Sequence, residues 1–428
     1  MAASPALELA DVTADAVVDS AHAETDAAVA ALYHDYPYPP PIADLRPYLA
    51  GERLPAFNPR DSWALHFPEQ APREAIDILV AGCGTRVVPM FAARMPKARI
   101  VGVDISAQSI AVSRAQCAEH GLDRVTFHEM PLEDIGALGQ DFDLIHCHGV
   151  LHHLVDPVAG LRVLASTLRP HGVISAMVYA RYGRTGVYML QDLAHRLGLD
   201  AANGGPELMK ELVRHLPDRH PLAMLPWGER PDLPIEEVAD MLLHPRDQAY
   251  TVHGVRALVE GAGLVLHRWL GQAVYEPAVS PLAALTPGAL ADADAWERAA
   301  AMELFHGRLI THDFLLTHPN RPTAAELFRG AGLVDAIPVR SPHMGYEVQG
   351  ETLVLQNRAL QVPVYVSGPI DTLLPWIQAV DGKSSVGVIT WQVKQGRLDA
   401  AAMRDALQLF ERLYQADVIE LRTGTARG

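Results

Sequence analysis

The chain is 428 residues long and 49% apolar, with 35 basic against 51 acidic side chains and a formal net charge of -16. That length and apolar share can bury a full core and leave room for a second small domain, while the acidic excess repels a phosphate backbone over most of the surface and argues against a nucleic-acid partner. Three scattered cysteines, Cys83, Cys117 and Cys147, make no disulfide framework, no apolar run reaches membrane-span length and the acidic amino terminus has no basic flank, so reduced thiols, a cytoplasmic location and no membrane partner are expected.

Residues 1–59 read as a helix-like stretch, Ala21 to Tyr33, followed by a tyrosine- and proline-rich arm. In that arm Tyr33, Tyr36 and Tyr38 stand among Pro37, Pro39, Pro40 and Pro41. Proline fixes φ, so the segment is stiff and extended and has little conformational entropy to lose on closing over a site. It serves either as a lid or as a passive connector laid on the surface. Trp63 and Phe67 then offer packing groups ahead of the first strand.

A main domain is expected over 60–275, built on the stretch IDILVAGCGTRVVPMFAARMPKARIVGVD at 76–104. Ile78 to Ala81 form a run short and apolar enough for a strand buried on both faces of a parallel sheet. Gly82 and Gly84 let the backbone approach a ligand where a Cβ would collide. Pro89 suits only the first turn of a helix, so a helix starts just after the glycines with its free N–H groups turned to the ligand. Asp104 closes the next strand, where a carboxylate accepts hydrogen bonds from two ribose hydroxyls. The pattern is a nucleotide-type cofactor cradle. A dinucleotide site wants a third glycine where this chain has Val87, which disfavours a nicotinamide oxidoreductase.

Downstream, SAQSIAVSRAQCAEHG reads as a second crossover helix closed by Gly121, Val125 to Phe127 as a third strand, and Phe142 to Cys147 as a fourth. FDLIHCHGVLHHLVDP and LRPHGVISAMVY follow as the exit of that strand and the turn into a fifth. Taken with AGCGT and VGVDIS, these four motifs in this order resemble the class I S-adenosylmethionine-dependent methyltransferases over about residues 60 to 180, with a weaker continuation to about 275. The resemblance implies an α/β fold: a doubly wound, mostly parallel, seven-stranded-type sheet. It implies S-adenosylmethionine as cofactor, held by Ala81, Gly82, Cys83 and Gly84, by Asp104 and Ile105, and by Pro131, Leu132 and Glu133 on the adenine side. His148 and Gly149 join that set, with Gly149 giving the cofactor methyl room. Two positions depart from the family pattern. Val80 stands where many members carry an acid, so the amino-acid end of the cofactor needs other partners, and Pro131 stands at the adenine-side aspartate.

The histidines around that exit admit a metal reading, because imidazole and thiolate bind zinc. Strand alternation sets His146 and His148 opposite Cys147, and the family pattern accounts for the turn without metal, so none is expected. His152 and His153 are either structural hydrogen-bonding residues or bases, and with Tyr38 they form the expected catalytic set.

Residues 181–245 change to helical pieces joined by proline-rich loops and read as a helical cap inserted at the carboxyl end of a strand, where open α/β sheets bind ligands. Residues 276–320 read as a helical connector. The tail, 321–428, reads as a second small α+β domain with strands at Tyr346 to Gln356, Val362 to Val366 and Val386 to Val393 and a last helix. It resembles winged-helix accessory modules and, in an acidic chain, reads as a protein contact or homodimer piece dispensable for cofactor binding. The expected function is methyl transfer to an N or O nucleophile of a small molecule, peptide or protein. The alternative is a cofactor-binding regulatory or scaffold protein that transfers nothing.

Overall fold

The computed structural model describes residues 25, 27–54, 58–224 and 232–424. Its central sheet contains β1 (Asp77–Ala81), β2 (Arg99–Asp104), β3 (Val125–Glu129), β4 (Phe142–His148), β5 (Leu168–Tyr179), β6 (Val265–Trp269) and β7 (Thr311–Thr317), ordered β3-β2-β1-β4-β5-β7-β6. β1 to β5 run parallel, and β7 is antiparallel to both of its neighbours. Strand order reverses between β1 and β4, which opens a crevice at the carboxyl ends of those strands.

Alternation along the strands builds two cores. Ile78, Val80, Ile100, Leu144 and Val173 face the helices Val87–Arg94 and Ala107–Glu119, meeting Val88, Phe91, Ile110 and Cys117. Leu79, Ala81, Val101, Ile145 and Ile174 face the other way, onto Leu161 and Leu164 of Pro157–Ser166 and Val255 and Leu258 of Val252–Gly261. Helix starts are set by side-chain caps: Ser106 accepts from the N–H of Ser109, Asp156 from Ala159 and Thr251 from Gly254.

The expected cap appears as the helices Thr185–Arg196, Gly205–Arg214 and Ile235–Leu243, which share an apolar cluster around Val187, Leu190, Met209, Val238 and Met241. The tail forms a three-stranded antiparallel sheet of β9 (Met344–Gln349), β10 (Thr352–Asn357) and β11 (Tyr365–Pro369), and a two-stranded sheet in which β8 (Ile337–Arg340) pairs with β12 (Ile419–Arg422). Helices Ile370–Ala379, Val386–Val393 and Ala400–Gln415 complete it.

Four expectations need correction. The connector over 276–320 is helical only until His306, where Gly307 stops the helix at φ 61; β7 follows, and it alone links β5 to β6. The sheet is therefore completed by a strand well beyond Gln272. The stretch Val386 to Val393 is a helix, although its β-branched residues favour a strand. Ser385 caps it and Val386, Ile389 and Thr390 are buried at helical spacing, so tertiary packing overrides propensity. The turn residues before Val173 extend β5, because Phe142 pairs with Leu168 and Leu144 with Val173 across a register shift.

Nor does the tail stand on a core of its own. Its Leu353, Trp376, Phe410 and Leu421 belong to one contiguous apolar cluster with Leu79, Ile145 and Phe314. Arg321 reaches Glu69 at 2.5 Å and the carbonyls of His66 and Gly172 at 2.6 and 3.0 Å. The N–H of Thr423 donates to the carbonyl of Pro68 at 2.8 Å. A buried ion pair joins Arg268 on β6 to Asp417, which also accepts from the N–H of Ala273 at 2.8 Å.

Candidate functional site

At the crevice between β1 and β4 the glycine turn is shaped by close approach. Gly82 has φ 69, and a Cβ there would lie 2.1 Å from the Val150 side chain. Gly84 has φ 53, and a Cβ on it would stand 3.2 and 3.3 Å from Pro39 and the Tyr38 carbonyl. The N–H of Gly84 donates to Asp104 Oδ2 at 2.7 Å, and that of Ser106 to Asp104 Oδ1 at 2.9 Å. The carboxylate keeps acceptor capacity for a ligand beyond these backbone bonds. Burial raises the Asp104 pKa, and the backbone N–H groups of Ser106, Gly84 and Ile105 oppose that shift.

A cavity of about 1020 Å³ opens over this turn. On the cofactor side it is lined by Gly82, Cys83, Gly84, Asp104 and Ile105, then by Pro131, Leu132 and Glu133, and at the end of β4 by His148 and Gly149. Tyr38 and His153 line it as well. Ala81 is buried in β1 beneath the turn and His152 is fully buried; neither is in the lining. The catalytic expectation for His152 is thereby corrected: its ring packs 3.9 Å from that of Tyr179, and neither nitrogen has a hydrogen-bond partner among the described residues. Leu151 to His153 form a single 3-10 turn in which the two rings stay in contact, centroids 4.2 Å apart, yet only that of His153 lines the cavity, which a two-histidine motif does not reveal.

His153 Nδ1 lies 2.6 Å from the Arg246 carbonyl, so Nδ1 carries the proton and Nε2 is left as an acceptor. Burial lowers its pKa and keeps the ring neutral. Burial likewise raises the Tyr38 phenol far above its ordinary range, with Asp240 and Glu237 adding to the shift, so Tyr38 stays protonated and acts as a donor. His146 and His148 stack at 3.9 Å on one side of β4, as alternation requires, and burial lowers both pKa values. No group of three His, Cys, Asp or Glu among the described residues is arranged to hold a metal.

The arm is seated on the turn. Thr85 donates through Oγ1 to the Pro39 carbonyl, and Gln116 Nε2 reaches the Ile42 carbonyl at 2.6 Å. Tyr33 donates to Asp240 Oδ1 at 2.9 Å and Tyr179 donates to Asp240 Oδ2 at 3.3 Å, so one carboxylate of the cap ties the arm to the end of β5. Arg184 lies 3.5 Å over the Tyr179 ring and pairs with Asp247 at 3.4 Å. The part of the helix-like stretch before residue 25 lies outside the described residues.

Tyr179, Arg184, Asp240, Thr311 and Asp313 line the cavity without having been expected there. Asp240 did carry a signal, an acid within the apolar set Val238, Ala239, Met241 and Leu242 of one short helix. Thr311 and Asp313 carried none while their strand read as helix.

The family described as a methyltransferase domain matches residues 73–214. An uncharacterised protein of Synechococcus is 35% identical over 254 residues, which is 55% of this chain and 58% of that protein. A ubiquinone biosynthesis O-methyltransferase of Parvibaculum lavamentivorans is 32% identical over 39% of this chain and 64% of its own length. The chain thus spans about 58 to 64% of the length of these curated relatives. Among solved structures, PKMT2 from Rickettsia typhi in complex with AdoHcy superposes with a TM-score of 0.62 at 16% identity, covering 90% of this chain and 77% of the other, a likeness of fold. Residues 73–214 thus match a methyltransferase domain, and the glycine turn, the acid ending β2 and the seven-stranded order agree with the class I S-adenosylmethionine-dependent pattern that the sequence resembles.

Proposed function

We propose that the chain transfers the methyl group of S-adenosylmethionine to an N or O nucleophile of a small molecule, or of a peptide or protein side chain, that enters beneath the arm and the cap. One observation carries this reading: a single cavity runs from the Gly82 to Gly84 turn and Asp104 to a second wall of Tyr38, His153 and Tyr179. Its volume of about 1020 Å³ is at the upper end of small-molecule sites, roughly 300–1,000 Å³, and accommodates a cofactor with an acceptor beside it. The name of the Parvibaculum relative supports oxygen as the receiving atom.

In this reading Gly82 and Gly84 admit the cofactor, Asp104 holds its ribose hydroxyls, and the Pro131 to Glu133 turn borders the adenine. The cofactor brings a methyl group already activated on a sulfonium sulfur. The protein's task is alignment and exclusion of water, for which Tyr38 supplies a donor, His153 Nε2 an acceptor, and the arm a cover. Incubation with methyl-labelled S-adenosylmethionine and fractionated extract of the host organism should transfer label to one fraction, and a variant with Asp104→Ala should not. Label transfer that is the same with and without the protein would end the reading.

The arm closes the site over a bound cofactor. Chymotryptic cleavage around Tyr36 should therefore slow severalfold when S-adenosylhomocysteine saturates the protein. Equal rates with and without the ligand would make the arm a fixed connector.

A further inference from the structure

β7, the strand that completes the sheet, brings an acid to the acceptor side of the cavity. Asp313 pairs with Met177 of β5, which pairs with His148 of β4, so Asp313 and His148 stand in one row on one face of the sheet. Both line the cavity, and His148 Nδ1 lies 3.9 Å from Asp313 Oδ1. The other carboxylate oxygen is committed: Thr311 Oγ1 donates to Asp313 Oδ2 at 2.6 Å and Gln361 Nε2 approaches it at 3.4 Å. Oδ1 accepts no hydrogen bond from any described residue and is left for the cavity.

Gln361 comes from the tail, between β10 and β11. Its Oε1 accepts from the N–H of Ile310 at 3.0 Å and of Thr311 at 3.3 Å, and its Nε2 donates to the Thr311 carbonyl at 3.1 Å and Thr311 Oγ1 at 2.8 Å. One tail side chain thereby fixes both ends of the residue that holds Asp313. Among the other polar groups of the wall, His153 keeps Nε2 as a neutral acceptor, while Asp240, Tyr38 and His148 are engaged or protonated. Both oxygens of Asp240 accept from tyrosines, and Tyr38 keeps its proton. His148 Nε2 is 2.9 Å from Ser175 Oγ.

We propose that Asp313 is the carboxylate that grips the N–H or O–H of the methyl acceptor and takes its proton, and that Gln361 of the tail is its positioning residue. This rests on the methyl-transfer reading above. The acceptor's lone pair forms the bond to the methyl carbon, the carbon–sulfur pair stays on sulfur, and the acceptor's proton passes to Asp313 Oδ1. Burial pushes the Asp313 pKa up to about 6, which makes it a stronger base than an exposed aspartate while it remains ionised at neutral pH.

Two cofactor analogues test this without knowledge of the acceptor. Sinefungin carries an amine-bearing carbon where the sulfonium stands, so its ammonium occupies the transfer position; S-adenosylhomocysteine has no group there. By calorimetry at neutral pH the full chain should bind sinefungin about tenfold more tightly than S-adenosylhomocysteine. Asp313→Asn should bring the two affinities within about threefold, chiefly by weakening sinefungin. Gln361→Ala should narrow the gap in the same direction with S-adenosylhomocysteine affinity unchanged, which a merely structural glutamine would not do. Equal affinities in the wild type, or a preference untouched by Asp313→Asn, overturn the proposal. Should Asp313→Asn fail to fold, an unchanged preference in Gln361→Ala overturns it instead. Binding of neither analogue to the wild type refutes the cofactor reading itself, and this proposal with it.

Discussion

Asp417→Ala lowers the stability of the chain by about 3–5 kcal/mol, the cost of leaving one member of a buried ion pair without its partner. Arg268 is almost wholly buried, and its Nε and Nη1 have no hydrogen-bond partner among the described residues. Its remaining contacts are a carbonyl of Tyr414 at 3.4 Å and the Tyr414 ring at 4.3 Å, too little to replace a carboxylate. Glu420 lies beside the same guanidinium, but in the intact protein burial, with Asp417 adding to the shift, pushes its pKa up to about 8, which leaves Asp417 as the carboxylate that balances Arg268. The substitution also frees the N–H of Ala273 and places alanine at φ 54, where aspartate is better tolerated. Chemical denaturation followed by tryptophan fluorescence measures the loss, with Asp417→Asn as a milder control that keeps the hydrogen bond and the backbone preference. A change below about 1 kcal/mol, the range of an exposed ion pair, would show that the tail is not anchored through this residue. For the same reason a chain cut near Arg321 should not remain a sound cofactor-binding domain, contrary to what sequence composition implied.

Asp104→Ala should weaken S-adenosylhomocysteine by at least about tenfold, since hydrogen bonds to a charged group contribute on the order of 1.5 to 3 kcal/mol. The side chain has two jobs, because it also accepts the N–H groups of Gly84 and Ser106 and so holds the turn that a ligand must approach. Asp104→Asn separates them: it keeps an oxygen for one backbone N–H and loses the charge, and it should fall between wild type and alanine. Calorimetric titration of a folded alanine variant with unchanged affinity would remove the ribose role.

The half of the fold that carries the cradle was legible because its signals are local. Ile78 to Ala81, the two glycines, Pro89 and Asp104 each impose a backbone requirement that only one arrangement meets, and β1, the helix Val87–Arg94 and β2 follow them closely. β7 was hidden for the opposite reason. Its residues Thr311–Thr317 follow a helix rich in alanine, and their place in the sheet is set by β5 and β6, both distant in sequence. The acceptor wall inherits that difficulty: Asp313 is positioned by a strand no local pattern announced and by Gln361 from 48 residues further along. His153 and His152 sit ring against ring on one 3-10 turn, and only the first lines the cavity, a difference that adjacent identical residues cannot encode.

The most direct test of the site is a crystal structure of the full chain with S-adenosylhomocysteine. The account predicts ribose hydroxyls on the Asp104 carboxylate, adenine against Pro131 to Glu133, and the sulfur turned toward Gly149 with the Tyr38 arm above it. A ligand bound elsewhere, or bound in this cavity with its ribose away from Asp104, would contradict it.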